Sequence, residues 1–262
     1  MAERKSHYLR RADVKEGSFP ERIVLTHAIQ RNEPSCKALT AWLVDAVAAY
    51  IRNLLSAPTI ITNPELMAAI RGQESVEDKI CVLAATCGEE YATATLLVRT
   101  AVVWRNRLVH YQARNKVDRQ LVVTLQGRAA EIKSDYHGLE VNRLLDSVDK
   151  SHAPTFKEVT SLVRAAHTFV ERADDILLRQ SDLDQYVRQV LMHYVSDDPI
   201  RRISNVWGKD SHRRLASLAQ ICRQYGMTTD APEALNHVSE DMLQQISAWS
   251  PAQARTELYP EL

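Results

Sequence analysis

From Ser35, a residue suited to capping a helix, the apolar side chains Leu39, Trp42, Leu43, Ala46, Val47, Tyr50, Ile51 and Leu54 recur at steps of three and four. That spacing aligns them along one helical face, and it predicts an amphipathic helix over 35–54 that stops near Pro58. A second pattern opens at Ser75, with Asp78 in its first turn. It continues through Ile80, Leu83, Ala84, Cys87, Tyr91, Ala94, Val98, Ala101 and Val102, predicting one long helix bent at Gly88. The stretch 118–133 reads two ways: LVVTLQG resembles a strand and LQGRAAEIK a helix, and helix is preferred because no partner strand is evident. A third long helix begins at Thr155, whose spacing to Glu158 is that of a capping box. Its apolar stripe comprises Phe156, Val159, Leu162, Val163, Ala166, Phe169, Val170, Ala173, Ile176 and Leu177. Shorter helical patterns follow over 183–195, 199–207, 215–225 and 235–249.

The charged run RQSDLDQ at 179–185 is the best place to divide the chain, into a part spanning 35–179 and a helical extension spanning 180–262. Composition agrees with an all-α fold, since seven glycines and three phenylalanines stand against abundant Ala, Leu, Arg, Glu and Gln. With 262 residues, 45% of them hydrophobic, a sizeable core is feasible. Thirty-three basic residues balance thirty-three acidic ones, so no overall positive field draws the chain to nucleic acid or anionic lipid, and any such contact must be local. The first seventeen residues lack the apolar core of a signal peptide, and no window reaches the apolar length of a membrane span, so a soluble, cytoplasmic protein is expected. Cys36, Cys81, Cys87 and Cys222 are scattered among apolar neighbours without a CxxC pair, which points to free thiols rather than a zinc site.

The exception to this bland pattern is WRNRLVHYQARN at 104–115. Three steps beyond Val102 on the core stripe lies Arg105. Burying an unpaired guanidinium costs several kcal/mol, so Arg105 must be paired, snorkelled outward, or facing a wet cleft. Asn106 and His110, four apart, share a face, and Arg105 can reach the same space. Between 99 and 119, Arg99, Arg105, Arg107, Arg114, Lys116 and Arg119 stand against Asp118 alone. Tyr111 is of a type that stacks on a base, and Arg107, Arg114 and Lys116 of types that meet flanking phosphates.

Arg105-Asn106-Arg107-Leu108-Val109-His110 resembles the hallmark of the HEPN family: an arginine and a histidine separated by four to six residues, with a polar residue often directly after the arginine. The resemblance covers 35–179 and implies an all-α domain with the motif at the end of a long helix. It also implies a homodimer in which two motifs face each other, and a metal-independent endoribonuclease without cofactor. Such enzymes serve toxin–antitoxin, CRISPR-associated or phage-defence systems, so an antitoxin or defence partner is expected. Arg105, Asn106 and His110 would be catalytic. Histidine titrates near neutrality and suits proton transfer to and from ribose and phosphate oxygens, while arginine offers a fixed fork for phosphate. One histidine per chain is too few for separate acid and base, and a two-fold dimer supplies two.

Three other histidines read as structural. Asp210, Ser211 and His212 lie too close together for a hydrolase triad, and Asp210 or Ser211 suits a helix cap; Tyr136-His137-Gly138 reads as a turn, and His167 sits beside a core stripe. No GxxxxGK, GxGxxG or HExxH occurs. Two further readings stand behind the ribonuclease: a non-enzymatic helical interaction protein, and a helical DNA-binding regulator, which lacks a clear recognition helix.

Overall fold

The computed structural model describes residues 21–89, 92–109 and 116–259, with side chains from 33 onward. The fold is all-α. In chain order the helices are α1 (Glu21–Leu54), α2 (Pro64–Arg71), α3 (Val76–Thr86), α4 (Thr93–Val109), α5 (Arg119–Gly127), α6 (Ala129–Asp135), α7 (Val141–Asp149), α8 (Phe156–Gln180), α9 (Leu183–Ser196), α10 (Pro199–Trp207), α11 (Ser211–Gln224), α12 (Glu240–Ser247) and α13 (Pro251–Leu258). Among the described residues the only β pairing is one isolated bridge between Thr228 and His237. No described helix is long and apolar enough to cross a membrane.

The three longest helices, α1, α4 and α8, pack on one another and carry the first core. Cys36, midway along α1, feels the charge of Glu158 in the first turn of α8, and further along both helices the Tyr50 hydroxyl donates to Asp174 at 2.6 Å, so α1 and α8 run in the same direction. The α4 helix runs opposite: Trp104, near its C-terminal end, donates its indole N–H to the His152 carbonyl just ahead of α8. The end of α4 therefore lies beside the start of α8. Helices α2 and α3 pair and cover one flank, while α5 and α7 cover the flank near the end of α4.

Packing changes identity at Ser181. Apolar residues up to Leu177 join the first cluster, and those from Val187 to Leu258 join a second, built by α9 to α13 around Trp207. Trp207 is fully buried, donates to the Ile246 carbonyl and stacks on Trp249. Among the described residues, the Thr59 amide donates to the Gln189 side chain and the Asp182 amide to the Thr62 hydroxyl, stitching the parts together.

Several expected boundaries moved. Ser35 lies inside α1, because Pro34 removes one rung of the helical ladder without ending the helix. The pattern from Ser75 is two helices, and Gly88 is a stop rather than a bend; its φ of +67° closes α3 by bonds from the Glu89 amide to the Ala84 carbonyl and from the Gly88 amide to the Ala85 carbonyl. Tyr91 lies outside the described residues. The ambiguous 118–133 stretch is helical, divided into α5 and α6 at Arg128. Phe156 drops out of the α8 stripe, 69% exposed, although Glu158 and Val159 in the same turn are buried; Trp42 is equally exposed on α1. The Thr155 capping box is present. Helix α13 was missed although Ser250 and Gln253 carry the same capping spacing.

Candidate functional site

Every residue of α4 from Thr93 to Trp104 except Arg99 is buried, and the helix leaves the core only in its last turn. Polar groups are compatible with the pattern there for that reason: Arg105, Asn106 and Arg107 are half-buried, and Val109 is exposed. Arg105 turns toward α1. Its Nη2 donates to Asp45 Oδ1 at 3.3 Å and its Nη1 to Asn106 Oδ1 at 3.3 Å. Its Nε is buried and has no hydrogen-bond partner among the described residues, while the other two contacts hold the guanidinium in place. Of the three outcomes open to this residue, the structure realises pairing, with the Asp45 carboxylate left 60% exposed.

Arg107 follows by two residues and so points roughly 200° around the helix, to the opposite flank. There Nε donates to the Ser151 hydroxyl at 3.1 Å and Nη2 to the Asp149 carbonyl. Ser151 holds a left-handed φ of +55°, and the turn that contains it closes the end of α7 through the bond from the His152 amide to the Ser147 carbonyl. With Trp104 bonded to His152, two residues of α4 hold this strained turn. Arg107 and Lys116 line a cleft of about 310 Å³ against α7, with Asp146 and Asp149 also in its lining and Val122 and Leu145 among the apolar residues. Lys116 is exposed.

The expected cluster is thus partly assembled and partly divided. Arg105 and Asn106 meet; Arg107 and Lys116 meet elsewhere, on the far side of α4. His110, Tyr111 and Arg114 lie outside the described residues. The local positive charge is also more engaged than a count along the chain suggests, because Glu77 pairs with Arg99 at 3.2 Å and Asp45 with Arg105. Asp45, Asp149 and Ser151 were missed by sequence reading. None carries a local signal, since each meets its arginine from a distant part of the chain.

The other candidates take structural roles. Asp210 caps α11, accepting from the Arg213 amide, and that bond holds its carboxyl below the usual range; His212 is exposed in the first turn. His137, at φ +53°, is in a turn, and His167 is exposed. The Cys36 and Cys222 side chains are buried, and those of Cys81 and Cys87 are half-buried. Burial pushes Cys87 and Cys222 up to about 11, far from nucleophilic thiolates. Among the described residues no group of His, Cys, Asp and Glu is arranged to hold a metal ion. No family model, curated protein or solved structure matches this chain.

Proposed function

We propose that the chain is a HEPN-like, metal-independent endoribonuclease that acts as a cytoplasmic homodimer, in the manner of a toxin or phage-defence effector held in check by a partner protein. One observation supports this most directly. A half-buried arginine emerges at the end of a buried helix, joined to the adjacent asparagine, with one buried N–H that has no partner among the described residues. Leaving such a donor unmade costs about 1–3 kcal/mol, which favours a conformation in which an oxyanion or a second chain engages the guanidinium.

In the proposed reaction the substrate's 2′-hydroxyl attacks the adjacent phosphorus and the 5′-oxygen leaves. The upstream fragment carries a 2′,3′-cyclic phosphate and the downstream one a 5′-hydroxyl. His110 from one protomer accepts the 2′-proton, its partner copy donates to the 5′-oxygen, and Arg105 neutralises charge on the non-bridging oxygens. Asn106 orients Arg105 through the bond already present. Incubation with single-stranded RNA in EDTA tests the proposal: cyclic-phosphate ends are expected, RNA with a 2′-methoxy group at the cut position should resist, and DNA should survive. Loss of activity on chelation, or equal cleavage of DNA, overturns it.

The alternative, a non-enzymatic interaction protein, draws on the same contacts. Arg105 is paired with Asp45 and Arg107 bonds the end of α7, so both charges have structural work. Expression in cells separates the two readings, since a nuclease arrests growth and an interaction module does not.

A further inference from the structure

We infer that the cleft between the end of α4 and α7 is a nucleobase pocket that selects guanine in the bound strand. The inference rests on the ribonucleolytic reading for its ligand class but concerns a different face of α4. At about 310 Å³ the cleft is at the small end of ligand pockets, a size suited to a single base. Val122 and Leu145 provide apolar surface for a planar ring. Lys116, exposed and without an ion pair among the described residues, gives the lining a cation able to meet a nucleotide phosphate. Arg107 is fixed by the Asp149 carbonyl and the Ser151 hydroxyl, so that wall is rigid.

The α7 side of the cleft also carries carboxylates, and an acceptor-only group discriminates among bases. Lys150 holds the Asp146 carboxylate at 2.7 Å, whereas the Asp149 carboxylate has no hydrogen bond or ion pair among the described residues. An ionised carboxylate only accepts. Guanine alone presents two adjacent donors, N1–H and the N2 amino group, to two such oxygens. Adenine and cytosine each set a lone pair beside their amino group, and uracil flanks its single N–H with two carbonyl oxygens. Because Arg105 and Arg107 face opposite flanks, the pocket reads a base flanking the cleavage point, and the strand crosses the end of α4 between them.

Calorimetry on the full chain with 5′-GMP, 5′-AMP, 5′-CMP and 5′-UMP tests the pocket apart from catalysis. GMP should bind at least about tenfold tighter than the others, and 5′-IMP, which lacks the N2 amino group, should lose most of that advantage. Asp149→Asn should abolish the preference, and Lys116→Ala should weaken all four monophosphates alike. Cut-site mapping on mixed RNA should then show guanine enriched at one fixed offset. Equal binding of the monophosphates, no binding, or a GMP preference that survives in both Asp149→Asn and 5′-IMP overturns the pocket while leaving the ribonuclease standing if RNA is still cut. GMP selectivity that depends on Asp149, in a protein that cuts no RNA, overturns the ribonuclease and keeps the pocket.

Discussion

Arg105 meets Asp45 at 3.3 Å across the α1–α4 contact, and the carboxylate is 60% exposed. A pair that open to water is worth roughly 0–1 kcal/mol and is screened by salt, so a phosphate can compete for the guanidinium. Asp45→Asn should therefore strengthen binding of single-stranded RNA several-fold at low ionic strength, read by fluorescence anisotropy, with the gain fading as salt rises. Weaker binding would show that Asp45 positions Arg105 rather than competing for it. His110→Ala and Arg105→Ala should each cost on the order of 10²-fold or more in cleavage, with Asn106→Ala milder. His212→Ala, exposed at the start of α11, should be silent; inactivation by that change instead would move the site to the other half of the chain.

Between elements, two features carry stability consequences. Gly88 ends α3 at a φ of +67°, and a Cβ there would meet nothing within 4 Å, so Gly88→Ala costs only backbone strain, about 1–2 kcal/mol, in denaturant unfolding. A neutral result would mean that the turn adopts another conformation. The Tyr50–Asp174 bond ties α1 to α8. Burial raises the Asp174 pKa above the ordinary carboxylate value; the Tyr50 hydroxyl opposes this in part and the Asp175 charge adds to it. A raised folded pKa means that this group's stabilisation is complete below the unfolded value and is lost as pH rises through the folded one. Stability measured from pH 7 down to about pH 4, around the unfolded carboxylate value, should thus gain more in the wild type than in Asp174→Asn, which keeps an acceptor for Tyr50. Parallel profiles would remove Asp174 as the cause.

For the molecule as a whole, the exposed apolar residues are spread over several helices. Leu39 and Trp42 on α1, Val109 in the last turn of α4 and Phe156 at the start of α8 are exposed on the three longest helices, while Val123 on α5, Met192 on α9 and Ile200 on α10 are exposed elsewhere. Scattered apolar exposure is ordinary, but Trp42, 69% exposed and three residues before Asp45 on α1, suits the proposed two-fold contact. Trp42→Asp should shift light scattering from dimer toward monomer and lower cleavage in parallel, while far-UV circular dichroism stays unchanged. A monomer with full activity would remove the dimer from the mechanism.

The helices that carry their own punctuation were legible in the chain. Thr155 with Glu158 and Asp210 with the Arg213 amide are readable because capping joins residues three apart, and the α8 stripe is readable because burial on one face repeats with the helical turn. The all-α class and the emergence of a polar cluster beyond Val102 followed from the same local periodicity. Other features were decided by partners remote in sequence. Whether a charge counted along the chain is available depends on what faces it: Asp45 answers Arg105 across sixty residues, and Ser151 answers Arg107 across forty-four. No window of sequence contains both halves of such a pair. The division of Arg105 and Arg107 between opposite flanks of α4 was implicit in helical geometry, but only the packing of α1 on one side and α7 on the other gave it a consequence. Local periodicity determines which residues share a face; tertiary contact determines what that face meets.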